Sequence, residues 1–184
     1  MTILSAVRTE FTRYRRMVEL AVEQIDDASM LATLDSDSNS IAVLLGHLSG
    51  NLCSRFTDFL TSDGEKPWRD RDGEFEDRGR DRAALLAEWQ AAWSAVDAAL
   101  ADVETAGDGV FERTITIRAQ PLTVADALLR SVAHVAGHTG QIVLLARHFA
   151  GASWRSLSIP RGGSADYAAN PTREKSPDGP TSRS

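Results

Sequence analysis

The chain has 184 residues, of which 42% are hydrophobic and 25% charged, and a net charge of −6. That length supports one domain with a sizeable core, and the acidic balance disfavours a phosphate-backbone partner, because nonspecific nucleic-acid affinity comes mainly from Lys and Arg. The lone Cys53 cannot form an internal disulfide, and no apolar run approaches the roughly 20 residues that span a bilayer.

The first predicted helix runs from Thr2 to Ile25, with Phe11, Tyr14, Val18, Ala21 and Ile25 on a helical period. Its Arg8, Arg13, Arg15 and Arg16 interleave with Glu10 and Glu19, the pattern of a charged helix face rather than a transit peptide. The N-terminus lacks a signal-peptide pattern, and a single cysteine fits a reducing compartment, so the expectation is a cytoplasmic protein. The polar "LDSDSNS" supplies a linker and an N-cap at Asn39 or Ser40.

The second helix, "IAVLLGHLSGNLCSRFTDFL", places Ile41, Leu44, Leu45, Leu48, Leu52, Phe56 and Phe59 on one broad face. "TSDGEKPWRDRDGEFEDRGR" is a long polar connection, of the kind that is functional or mobile in a compact domain. The third helix runs from Asp81 to Val103 with Leu85, Leu86, Trp89, Trp93, Val96 and Leu100 as its stripe. "TITIR" alternates like a short strand, closed by Pro121. Thr123 with Asp126 resembles a capping box opening a fourth helix that reaches Phe149 and stops at Gly151. The reading is an all-α domain of four helices over residues 1–160 and a disordered tail over 161–184 rich in Gly, Ser and Pro.

On the fourth helix, Val124, Leu128, Ser131, Val135, His138, Ile142 and Leu145 form the seam that faces a core. His134 lies about 40° from His138 at 100° per residue, one turn earlier, and Gln141 continues that side. An i, i+4 pair can bring two imidazoles to one ion, although two separately satisfied core histidines have the same spacing. On the second helix His47, Asn51 and Arg55 follow at i, i+4 and i+8 along the edge of the buried face, either as a half-exposed polar edge or in a groove between helices. Gly46, Gly50, Ser54 and Thr57 take the side opposite its apolar arc. Neutral imidazoles suit zinc, nickel and similar divalent ions, and three protein ligands leave a coordination position open. His148, in the last turn of the fourth helix, fits a capping role. Ala133, Gly137 and Gly140 form a line of small residues whose helix-propensity cost points to close approach of another helix, in this chain or in a second copy.

"HLSGNLCSRFTDFLTSDGEKPWRDRD" and "SVAHVAGHTGQIVLLAR" resemble the DinB/YfiT-like superfamily, within it an uncharacterised bacterial branch with the "TDFLTSDGEKPWR" segment. The resemblance covers residues 3–167. It implies a four-helix bundle with a crossed connection, commonly homodimeric, and a divalent ion held by His47, His134 and His138. Characterised relatives include S-transferases and an isomerase that use low-molecular-weight thiols.

Two functions follow as expectations. One is an enzyme that activates a small thiol or water at the three histidines, acting on a small-molecule substrate. There Arg55 holds an anionic group, or else pairs with a loop carboxylate; Asn51 and Gln141 orient a ligand, or else bond within the bundle. The long loop, with Trp68 beside Arg69, covers the opening. The other is a dimeric metal-binding protein without turnover.

Overall fold

The structure is a computed structural model that describes residues 2–76 and 78–171. It is mostly helical. α1 (Ile3–Val22) opens at Thr2, which closes a capping box with Ser5. It ends before Ile25, although Ile25 stays buried. A short helix that periodicity could not announce, α2 (Asp27–Leu31), is capped by Asp26 and sends Met30 into the core.

α3 (Ile41–Phe56) settles its N-cap on Ser40, whose hydroxyl accepts from Val43 N. It stops earlier than its apolar pattern suggests, because Thr57 is extended and Asp58 turns the chain at a φ of 49°. Phe59 nonetheless stacks on Phe56 with ring centroids 5.3 Å apart. α4 (Arg82–Ala106) is capped by Asp81.

The extended segment is a hairpin rather than one strand. β1 (Thr114–Ile117) pairs antiparallel with β2 (Gln120–Thr123), and Pro121 sits inside β2 instead of closing the segment. A two-stranded sheet tolerates this, since each strand has an edge that donates no ladder bond. Arg118 and Ala119 make the turn with φ of 57° each, the left-handed pair that suits hairpin twist. Asp63 holds that turn by accepting from both backbone N–H groups at 2.8 Å. α5 (Val124–Ala150) begins at the Thr123 cap and ends at Gly151, where φ is 54°. A short α6 (Ser164–Ala169) lies in the segment expected to lack structure, and residues 172–184 of that segment lie outside the described residues.

α3 packs along α4, and α1 along α5, while α3 also meets α5. The shared interior holds an edge-to-face aromatic group: Phe11 lies 5.7 Å from Phe56 and 5.6 Å from Trp93, and Trp93 lies 5.5 Å from Trp89. Such pairs add to the burial of four large apolar side chains, each almost fully enclosed. Along α5 the core takes Val124, Leu128, Val135, Ile142 and Leu145, as the seam predicts.

The small-residue line faces outward. Ala133, Gly137 and Gly140 are exposed, and β-carbons built on the two glycines would meet nothing within 4 Å. Among the described residues no other helix packs against these two glycines. Leu129 and Leu144 flank the line and are 59% and 63% exposed.

Candidate metal centre

His47 lies on the central helix α3, and His134 and His138 one turn apart on α5, where the two helices meet. The polar line on α3 is not a half-exposed edge. His47 and Asn51 are 4% and 9% exposed, because the turn Gly73–Phe75 packs over that part of the helix. Phe75 lies against the His47 ring with centroids 4.5 Å apart.

The three histidines offer ligand atoms that all fall within 4.8 Å of one another. His47 Nε2 and His134 Nε2 face each other at 3.3 Å. Two nitrogens bound at about 2.0–2.1 Å to one tetrahedral ion stand roughly 3.3–3.4 Å apart, so this separation fits a shared zinc-like ion. The rings of His138 and His134 are 4.6 Å apart, and those of His138 and His47 4.9 Å.

Proton placement supports the same geometry. His47 Nδ1 donates to Glu74 Oε2 at 2.9 Å. A carboxylate only accepts, so Nδ1 carries a proton, and in a neutral ring that leaves the lone pair on Nε2. His138 Nδ1 likewise donates to Gln141 Oε1 at 2.7 Å, which frees its Nε2. His134 Nδ1 is buried with no hydrogen-bond partner among the described residues, and the ring's polar contact there is through Nε2. Burial, reinforced by the other two histidines and by Arg69 and Arg55, pushes His134 down to about 4. Burial also lowers His138, against the opposing bond to Gln141. Neutral imidazoles with available lone pairs are what a divalent ion requires.

Glu74 is itself fixed. Arg69, whose side chain is 1% exposed, grips it with two bonds of 2.8 Å, Nε to Oε1 and Nη2 to Oε2. Burial tends to raise the Glu74 carboxyl, but the bonds from Arg69 and His47 outweigh that and hold it below the usual carboxylate range. The carboxylate lies against the backbone of α3 at Gly50, in space a β-carbon would fill. A carboxylate behind a ligating histidine fixes its tautomer and ring orientation, the usual arrangement in metal sites.

A cavity of about 370 Å³ opens beside the three rings, lined also by Asn51, Arg55 and Ser131. Asn51 therefore faces this cavity. Arg55 is engaged elsewhere: it donates to the Gly64 carbonyl and pairs with Glu65 at 3.1 Å, the loop-carboxylate alternative of its sequence reading. Gln141 acts on His138 rather than lining the cavity. Trp68 does not cover the opening. It is 56% exposed and lines a separate cleft with Gly46, Gly50 and Cys53. His148 meets the Phe149 ring edge to face and is not among the three clustered histidines.

Glu74, Phe75 and the anchoring role of Arg69 were not visible in the sequence. The one signal was Gly46 and Gly50, a turn apart and opposite the apolar arc of α3, which make room for a covering segment. Arg80 rests over Gly46 as Glu74 rests over Gly50.

No curated protein and no solved structure matches the chain. One family does, over residues 1–163, a span that includes both histidine-bearing helices and the loop that carries Arg69 and Glu74. The chain belongs to the family described as "Protein of unknown function (DUF1572)".

Proposed function

We propose that the protein is a metal-dependent enzyme of the DinB/YfiT-like kind, its four long helices forming a bundle with a crossed connection and its reaction centred on a divalent ion, zinc or nickel, held by His47, His134 and His138. The observation that carries this reading is the 3.3 Å approach of His47 Nε2 to His134 Nε2 beside a cavity with room for a small molecule. A bound divalent cation there supplies Lewis acidity, which favours the deprotonated form of a small thiol or water near neutral pH.

The residues of the chain divide the remaining work. Glu74 and Gln141 hold the protons of His47 and His138 at Nδ1 and so present Nε2. Burial keeps His134 uncharged at neutral pH. Phe75 shields one face of His47 from water, and Asn51 offers an amide to a ligand in the cavity. The uncovered small-residue face of α5, with Leu129 and Leu144 beside it, supports a homodimer in which a second copy covers it. Light scattering at micromolar concentration reads that state directly, and a monomer counts against the dimer.

The test is metal analysis of protein purified without a histidine tag, followed by a screen of thiols against a panel of electrophiles. The expected result is one divalent ion per chain and turnover with at least one thiol–electrophile pair. Metal without any thiol binding or transfer would favour water activation or a non-catalytic role. A chain that takes up no ion from any divalent salt would end the metal reading.

A further inference from the structure

The cavity beside the histidines is cationic in an acidic protein. Arg55, Arg69, Arg71, Arg118 and Arg130 all line it, and no Asp or Glu among the described residues does. Three of these arginines are committed. Arg55 and Arg118 pair with Glu65 at 3.1 and 2.9 Å, and Arg69 pairs with Glu74. Arg71 and Arg130 have no ion pair or side-chain hydrogen bond among the described residues, and both are exposed at the rim.

They come from different elements. Arg71 sits in the turn leading to Gly73–Phe75, and Arg130 on α5 one turn before His134. The buried Nη1 of Arg69, whose side chain lines the same cavity, has no hydrogen-bond partner among the described residues, its nearest carboxylate oxygen being Glu65 Oε2 at 3.8 Å. Like charges brought to one concave site repel each other, and a cluster left uncompensated by carboxylates focuses a positive potential into the cleft. Guanidinium groups match carboxylate and phosphate oxygens in planar, two-bond geometry.

We propose that Arg71 and Arg130 form an anion-recognition pair at the rim of the three-histidine cavity, so that its ligand is a small organic molecule bearing a carboxylate or phosphate group. The proposal rests on the reading of this cavity as the ligand site. It replaces Arg55, which is occupied by Gly64 and Glu65, as the holder of the acidic group.

Isothermal titration calorimetry at low ionic strength and neutral pH tests it, on protein both metal-loaded and metal-stripped. Succinate and glycerol phosphate serve as acidic probes, succinamide and glycerol as their neutral counterparts. At least one acidic probe is expected to bind, the neutral ones not, and added salt to weaken binding by screening. Arg71→Gln and Arg130→Gln should each weaken it about tenfold, as for loss of one charge-assisted bond, and the double variant should abolish it. The variants are expected to keep their circular dichroism and their metal stoichiometry, since neither side chain holds another part of the fold. Binding by only one acidic probe supports the proposal and fixes the group recognised. Arginine-dependent binding in a chain that takes up no metal supports the proposal while removing the metal reading. Equal binding of acidic and neutral probes, no binding of either acidic probe, or undiminished binding in the double variant would overturn it.

Discussion

The carboxylate of Glu74 occupies the place where any residue but glycine at position 50 would carry its β-carbon. Glu74 cannot swing aside freely, because Arg69 holds both its oxygens and His47 binds one of them. Gly50→Ala is therefore expected to break the Glu74–His47 bond while leaving all three candidate histidine ligands in the chain. Loss of such a supporting carboxylate typically costs about 10–100-fold in metal affinity. Competition titration against a chromophoric chelator measures this, and Glu74→Gln should show a loss of similar size. An unchanged affinity in both variants would remove Glu74 from the site.

Metal addition should raise the thermal midpoint of the wild-type protein by mass action. At a hundredfold excess over Kd the gain is about 2.7 kcal/mol, or on the order of 5–10 °C for a domain of this size. His138→Ala, which deletes one of the three proposed ligands, should show neither that rise nor turnover. Differential scanning calorimetry with and without the ion makes the comparison.

Acid should destabilise the metal-stripped protein in a defined window. His134 sits at about 4 in the folded chain, chiefly through burial, against about 6.5 when unfolded. The folded state thus binds fewer protons between these values. The stabilising contribution is complete above about pH 6.5 and is lost as pH falls to about 4, a difference on the order of 3 kcal/mol. His138, also lowered, acts in the same direction. Glu74, held below the usual carboxylate range, loses its contribution at lower pH still. Urea unfolding across this range checks the slope, and His134→Gln should flatten most of it.

Ala119 adopts a φ of 57° in the hairpin turn, a conformation costly for a residue with a β-carbon. Ala119→Gly removes that strain but adds backbone freedom to the unfolded chain, for a net gain of up to about 1 kcal/mol. Denaturant midpoints at unchanged slope would show it.

Arg55→Ala should act through the loop and not through direct ligand contact. It removes the donor to the Gly64 carbonyl and the partner of Glu65, both in the segment that Ser54 also anchors through Gly64 O at 2.9 Å. Gly64 O keeps Ser54 and Glu65 keeps Arg118, so a loss of about 1–2 kcal/mol is expected from the two lost bonds alone, read by chemical unfolding.

Periodicity reveals the elements that repeat it for several turns. The stripes of the first and third helices, and the seam that carries His138, pack on the core as their spacing predicts, with Tyr14, Leu86 and His138 only partly buried. The three histidines also converge, because i, i+4 spacing fixes two of them to one face and the third was the one imidazole on a facing buried stretch. What periodicity cannot show is packing between segments far apart in sequence. Met30 and α2 offer too few residues for a pattern, and "RDRDGEFEDRGR" contains so many charges that nothing singles out Glu74 as the one that turns inward. The apolar pattern overruns the end of α3 because Phe59 is apolar and in register, yet a left-handed Asp58 breaks the helix before it. The partners of Arg55 were open from sequence for the same reason, since the choice between a ligand and a loop depends on where the loop lies.

His47 and His134 stand 87 residues apart in the chain and 3.3 Å apart in space. Their meeting closes a long loop, a costly contact that the chain gains only once the intervening segments are ordered, if loop-closure entropy governs the sequence of events. On that ordering an ion joining these two residues would grip the finished fold and not the transition state that precedes it. Interactions absent from the transition state slow unfolding and leave the folding rate nearly unchanged. A bound ion would act here as a kinetic latch, lengthening the lifetime of the native chain without hastening its formation.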